Sequence, residues 1–339
     1  MTRSVLLLVA LASPSKGRPR IPGEPLQHAA QPFLYAGYYQ MAGATTAGAG
    51  ATMKQGDPGL AAPDFHSLGE IGVISADLKQ IVELGWTVDP QVNNDVHPRL
   101  FVFHWVDGMP TCYNGCGFVQ VSTTHHPGDR VTPGVLADYA IELRGSDWWL
   151  RYENDDLGYF PGSLWAMPYT ASGHVQWFGE ISSGGAESCT EMGNGARGNN
   201  PDAAAMSGLY LVAPDGSHVP ANAGPGEITN PLYWSVGQQT PTSFAFGGPG
   251  AALCCTPATC ADSMAACGAV PDDCQPVIKC GDCSADTVCD ETFQCGPPPP
   301  PGDKPPADDA GCCAAGSSPT RALPALLVLA LALRRRRSR

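Results

Sequence analysis

Ile81-Val82-Glu83-Leu84-Gly85-Trp86-Thr87-Val88 alternates in character, and that alternation decides how the chain folds. Side chains leave a strand on opposite faces at successive residues, so Val82, Leu84, Trp86 and Val88 form an apolar row while Ile81, Glu83, Gly85 and Thr87 take the other face. A second stretch, His174-Val175-Gln176-Trp177-Phe178-Gly179-Glu180-Ile181, has the same form. Val175, Trp177 and Ile181 share one face, which leaves Glu180 beside Gln176 and Phe178 on the other. Each stretch carries one carboxylate behind an apolar row.

Outward from these two strands, from about Pro32 to Gly250, short β-forming runs are separated by turn chemistry and hardly any helical period is sustained. Leu100 to Val106 reads as a strand running into the turn pair Asp107-Gly108, with Gly117 to Ser122 running back after Cys112-Tyr113-Asn114-Gly115-Cys116. Ala140 to Leu143 and Trp148 to Tyr152 read as a hairpin about Arg144-Gly145-Ser146-Asp147. Further strands are expected at His174 to Ser182, Gly208 to Val212 and Ser243 to Phe246. Only Ser75 to Gln80 and Ser163 to Met167 look helical. The pattern predicts an all-β fold, a large antiparallel β-sandwich with one sheet face free to curve into a groove, followed by a small disulfide-rich C-terminal module.

Composition sets the surroundings. The chain of 339 residues has 33 prolines and 40 glycines, room for one large domain with appendages. A net charge of -13 argues against nucleic acid as a partner, and the basic cluster Arg334 to Arg337 with Arg339 sits behind an apolar run. Fourteen cysteines, most of them crowded between Cys254 and Cys295, suit an oxidising compartment, so export is expected. Residues 1–12 read as a signal peptide and 13–31 as a polar, extended lead-in. The β-region spans 32–250 and a Cys-rich module 254–295. A Pro-rich linker follows at 296–310, then a tail at 311–339 with the apolar Ala322 to Leu333, short for a membrane span.

The motifs within the β-region carry a resemblance. Gly85-Trp86-x-Val88-x-Pro90, Pro98-Arg99-Leu100-Phe101, Trp105, Asp107-Gly108, Cys112-Tyr113-Asn114 and Cys116-Gly117-Phe118-Val119-Gln120 are similar to the neprosin family of secreted peptidases. Trp148-Trp149-Leu150, Leu157-Gly158-Tyr159-Phe160-Pro161, Val175-Gln176-Trp177, Gly179-Glu180-Ile181 and Glu191-Met192-Gly193-Asn194-Gly195 follow in that family's order. The resemblance covers about Tyr35 to Gly250. It implies a β-sandwich glutamic peptidase with Glu83 and Glu180 as catalytic dyad, cleavage near proline, and a disulfide between Cys112 and Cys116. It calls for no cofactor, and a peptide or protein is the implied partner. Two carboxyls sharing a water cannot both ionise easily, so one keeps its proton to polarise a carbonyl or serve a leaving nitrogen while the other takes a proton from water. Activity in acid follows.

Around the dyad, Gly85 leaves room for a substrate backbone, and Gln176, Phe178, Tyr159, Trp86 and Trp177 are candidate groove residues, although aromatics in a sandwich are more often core. Phe178 stands where the family usually has glycine, which narrows the cleft and weakens the carry-over of substrate preference. The plant members carry a long propeptide, whereas about 20 residues separate the signal peptide from the domain here; inhibition by a folded pro-domain is not expected. His125-His126 and Asp155-Asp156 read as solvated loop and turn residues, no metal site is expected, and no Gly-x-Ser-x-Gly elbow is present.

In the module, Cys255, Cys260, Cys267, Cys274, Cys280, Cys283, Cys289 and Cys295 fall in a stretch with little apolar content, which needs covalent staples. Disulfides are favoured over zinc at Cys280 and Cys283. Cys189 and Cys254 are left to pair with each other. The module resembles Cys-rich repeats of myxobacterial surface proteins, and the tail resembles the myxobacterial C-terminal sorting tag. That tag implies cell-surface delivery, with membrane contact only through the tag; a permanent anchor is the alternative. The reading is a secreted or surface-displayed monomeric acid endopeptidase. A non-catalytic adhesin or ligand-binding sandwich is the first rival and a glycoside hydrolase the second, since paired carboxylates also serve sugar chemistry.

Overall fold

β-branched and aromatic residues at every second position need two apolar faces to meet, and here two sheets supply them. A computed structural model describes residues 16–19, 33–185, 187–251, 254, 259–270 and 278–298. The signal segment, most of the lead-in, most of the linker and the sorting tag lie outside these residues. The strands of the large domain are β1 (Phe33–Thr46), β2 (Gly48–Lys54), β3 (His66–Ile74), β4 (Ile81–Val88), β5 (Arg99–Val106), β6 (Met109–Pro110), β7 (Val119–Gln120) and β8 (Leu136–Arg144). They continue as β9 (Asp147–Tyr152), β10 (Asp155–Phe160), β11 (Ser172–Ser182), β12 (Ala204–Val212), β13 (His218–Pro220), β14 (Gly224–Ile228), β15 (Ser235–Thr240) and β16 (Ser243–Gly247).

One sheet runs β14-β1-β11-β3-β4-β5-β6 and the other β15-β16-β12-β2-β8-β9-β10-β7, with β13 beside β12. The chain is an all-β protein with large antiparallel sheets. Val82, Leu84 and Trp86 of β4 and Val175, Trp177 and Ile181 of β11 enter one apolar core with Ile141, Leu150, Phe244 and Phe246 of the second sheet. The opposite face of the first sheet therefore carries Glu83 and Glu180. Part of that face is covered by a second cluster, Leu68, Ile74, Ile81, Phe101, Phe103 and Trp105, against which Tyr113 packs.

Three local expectations change. Ser75 to Gln80 is the turn of the β3–β4 hairpin rather than a helix: Ser75 Oγ accepts from the N–H groups of Lys79 (3.2 Å) and Gln80 (3.0 Å), and Leu78 sits at φ 64°. Such local side-chain bonds compete with helix formation. Gly117 to Ser122 does not run back along β5. Met109–Pro110 does that, through the left-handed pair Asp107 and Gly108, while Val119–Gln120 crosses to pair with β10 in the other sheet. Ser163 to Met167 shortens to a single 3₁₀ turn, Gly162–Leu164. A short helix, α1 (Pro90–Asn93), appears instead, with Pro90 in its first turn and the N–H groups of Gln91 (2.9 Å) and Val92 (3.1 Å) donating to Asp89 Oδ1.

Cys112 pairs with Cys116, and Cys189 pairs with Cys254, tying the end of the domain to its body. In the module Cys260 pairs with Cys280, Cys267 with Cys289 and Cys283 with Cys295, so the two cysteines of Cys280-x-x-Cys283 leave for different partners. Because Cys189 and Cys254 are 65 residues apart, their bond closes a long loop. Removing both sulfurs, Cys189→Ser with Cys254→Ser, is expected to cost about 2–4 kcal/mol of stability through the freed unfolded chain. Urea unfolding of the oxidised proteins checks this; an unchanged midpoint contradicts it.

Candidate active site

Strand register places the acids. β3 lies between β11 and β4, and three cross-strand rows define the site face: Glu180 with Leu68, Phe178 with Glu70 and Gly85, and Gln176 with Gly72 and Glu83. Glu180 and Glu83 thus stand on the strands flanking β3, one row to either side of a third carboxylate, Glu70. All three side chains are fully buried. They converge on one cation: Lys16 Nζ lies 2.7 Å from Glu70 Oε1, 3.3 Å from Glu180 Oε2 and 3.7 Å from Glu83 Oε2.

The glycines around the acids make room for side chains rather than for a substrate. A Cβ on Gly85 would stand 2.7 Å from the Glu70 Cβ, so the space expected there for a substrate backbone is filled by the Glu70 stem. On the core side Gly69 and Gly179 oppose each other, and added Cβ atoms would meet the Trp86 ring at 2.8 Å and the Phe246 ring at 2.5 Å. Two strands each bearing Gly-Glu-Ile thus sit close over large rings, with their glutamates turned outward.

Behind Glu180 is a histidine. His66 Nε2 is 2.9 Å from Glu180 Oε1, and its Nδ1 is 3.7 Å from Asp89 Oδ2, an ion-pair separation rather than a hydrogen bond. Asp89 therefore faces α1 with one oxygen and His66 with the other. Burial pulls the His66 pKa down, but Asp89 and Glu180 more than offset it and the net direction is up. For Glu180 burial pushes upward, and the Lys16 ammonium and His66 outweigh it, holding this carboxyl below its usual range. Burial raises Glu83 to about 7 despite Lys16, and burial together with Glu83 raises Glu70 well above the carboxylate range. One acid favours ionisation and two favour their protons.

Both oxygens of Glu83, Glu70 Oε2, His66 Nδ1, Trp105 Nε1 and the Tyr113 hydroxyl are buried without a hydrogen-bond partner. Buried polar atoms are normally satisfied, so orphans gathered on one face mark a place built for something other than packing. Among the described residues, the group of three metal-ligating side chains whose ligand atoms all lie within 4.8 Å of one another is Cys267, Cys283 and Cys295, which are engaged in disulfides.

The other groove candidates divide. Gln176 and Phe178 lie on the site face and line a small hollow with Tyr35, and Lys16 Nζ stands 5.7 Å from the Phe178 ring centre. Trp86 and Trp177 do not line the groove: both point into the inter-sheet core, where Trp177 donates to the Gly50 carbonyl at 3.3 Å. Tyr159 belongs to the second sheet, stacked on Trp149 at 4.7 Å. A hollow of about 580 Å³ on that sheet is lined by Ser122, Arg144, Arg151, Asp155 and Asp156. Its charges are paired among themselves, Arg144 with Asp156 at 2.7 Å and His125 with Asp155 at 3.2 Å.

Sequence reading missed Glu70, His66, Asp89 and Lys16. Glu70 and His66 sit on β3, a strand whose pattern is diluted by Gly69 and Gly72, and Gly-Glu-Ile occurs at 69–71, 179–181 and 226–228, so the tripeptide alone does not single out Glu70.

Two antiparallel sheets with acids clustered on the outer face of one of them define a β-sandwich. A neprosin family model matches residues 63–249, more than half the chain, and the chain belongs to the neprosin family of peptidases. Among solved structures it is similar to scytalido-glutamic peptidase bound to a transition state analog inhibitor, with 9% identity over 63% of this chain and 97% of that chain and a TM-score of 0.41. SCP-B, an eqolisin-family peptidase in complex with a tripeptide, follows at 10% identity, 63% and 96% coverage and a TM-score of 0.39. CG-16, a homodimeric agglutinin from chicken liver, is matched at 11% identity over 43% of this chain and 91% of that one, with a TM-score of 0.25. At these scores the likenesses say nothing about what this chain binds or cleaves.

Proposed function

We propose that this neprosin-family chain is a glutamic endopeptidase in which Glu180 is the base and Glu83 the acid. The observation that carries the reading is the convergence of buried carboxylates with unlike surroundings: His66 Nε2 stands 2.9 Å from Glu180 Oε1 and favours its ionised form, while burial raises Glu83 to about 7. Glu180 takes a proton from a water whose oxygen attacks the peptide carbonyl carbon. The carbonyl oxygen gains charge, which protonated Glu70 stabilises by donating a hydrogen bond. Glu83 gives its proton to the nitrogen as the C–N bond breaks, and the proton on Glu180 restores Glu83 through the next water. His66, oriented by Asp89, fixes Glu180 in place. Preference for proline, export and display at the cell surface are further parts of the proposal, supported by the motifs, the cysteine usage and the tail. A monomer that acts without a cofactor completes it.

Digestion of casein or gliadin across pH tests the proposal. Cleavage should fall as Glu83 loses its proton, at or above about pH 7, because the Lys16 ammonium lowers that pKa and a substrate that displaces it moves the limb upward. A rate that still climbs at pH 9 contradicts the assignment. Action on polysaccharide instead of protein selects the glycosidase, and inertness toward both selects the adhesin.

A further inference from the structure

The outer face of the second sheet carries a trough that the acid site does not use. On β8 Tyr139 and Ile141 enter the core, so Asp138, Ala140, Glu142 and Arg144 face outward. Strand pairing then sets one row across five strands: Tyr210, Gly50, Ala140, Arg151 and Asp156. The row is low in its middle and high at both ends. Gly50 lets the Tyr210 ring lean across it, since a Cβ there would stand 2.2 Å from the phenol oxygen, and His218 stacks on that ring at 4.0 Å. Thr52 and Asp138 border the row on one side, Glu142 and Trp149 on the other. Two hollows, of about 580 and 300 Å³, open along it and share Arg151 and Asn154.

The polar groups of this trough are held in place but not used up. Arg144 grips Glu142 Oε2 at 2.9 Å and Asp156 Oδ2 at 2.7 Å. Arg151 reaches Glu142 Oε1 only at 3.4 Å, and its Nε, although 3.1 Å from Asp156 Oδ1, is buried without a hydrogen bond. From the described residues no hydrogen bond reaches the Tyr210 hydroxyl or the Asn154 amide. A buried donor left unbonded is costly unless a ligand meets it.

We propose that this trough binds a neutral saccharide chain, independently of the acid site on the other sheet. Arg144, Arg151 and His218 stand against four acids in the two hollows, Asp138, Glu153, Asp155 and Asp156, so an anionic ligand is disfavoured. The acids are themselves engaged, Asp155 by Ser122 and His125 and Asp156 by Arg144, which leaves little for a cation. What suits guanidinium alternating with carboxylate is a group that donates and accepts at once. A hydroxyl does both, and neighbouring hydroxyls of a pyranose ring reach an arginine and an acid together. A peptide suits the place less well, because extended peptides join a sheet at its edge and β8 and β9 are inner strands. Each hollow falls in the range of small-molecule sites, about 300–1,000 Å³, so the pair takes more than one sugar unit.

The test runs the full chain in native gels cast with a mannan, a galactan, a β-glucan or a xylan, with heparin as the anionic control. Ribonuclease with and without its neutral N-glycan is tested by pull-down alongside. Wild type should be retarded by at least one neutral polymer or should capture the glycosylated ribonuclease; the first assigns free polysaccharide as the source and the second glycoprotein. The dissociation constant should rise at least about threefold in Arg151→Gln and in Asn154→Ala, each of which removes donors from the shared part of the trough. Arg144 keeps the carboxylates paired in Arg151→Gln, and thermal melting checks the fold; Asn154 is exposed, so its variant decides if the first does not fold. Binding to no neutral glycan, tighter binding to heparin, equal capture of both ribonucleases, or a folded variant that binds as wild type does each overturns the proposal.

Discussion

Glu180→Gln lowers kcat/KM for peptide cleavage by about 10³-fold or more, the expected loss for a general base whose proton acceptor is removed without change of shape. The side chain is fully buried, and glutamine preserves its volume. The amide also retains an oxygen for His66 Nε2 and for the Gly17 N–H, each of which now contacts Oε1. What it cannot do is take a proton from water. The measurement is a comparison of initial rates on one quenched peptide between the parent and the variant, with thermal melting as the check on folding. A variant that melts normally and keeps a tenth or more of the activity removes Glu180 from the chemistry.

The second expectation separates the two neutral acids. Glu83→Gln should lose about 10²–10⁴-fold, because an amide cannot deliver the proton that the leaving nitrogen needs. Glu70→Gln should stay within about tenfold of the parent, because a protonated carboxyl that only donates a hydrogen bond is well imitated by an amide. Glu70 lies in the row between the other two and is nearest to the ammonium, so a simple distance criterion would have chosen it over Glu83. If the ranks invert, with Glu70→Gln inactive and Glu83→Gln active, the dyad is Glu70 with Glu180. The measured pH profiles then decide which of the two keeps the proton.

The alternation of β4 and β11 was enough to read the sandwich and to turn Glu83 and Glu180 to a common side, because an apolar row that must be buried fixes the opposite row as well. Proximity was not legible from either strand. It comes from register, Gly72 opposite Glu83 and Leu68 opposite Glu180, which depends on a strand whose glycines hide its period. Aromatic residues misled in the opposite sense: Trp86 and Trp177 flank the acids in sequence, yet odd and even positions part at the sheet, so they end in the core. Lys16 gave no local sign at all. Its partners are 54 to 164 residues away, and a lysine in a polar lead-in looks like any other until the fold supplies three acids to meet it.

The opposed glycines at 69 and 179 make the distance between the acids adjustable from behind. Any enlargement at either position presses on an indole or a phenyl ring and tips one outward-facing glutamate relative to its neighbour. Relatives that drift at these places are therefore expected to trim the rings at 86 or 246 in the same lineage, and directed evolution of the reaction has a handle there that never touches the cleft.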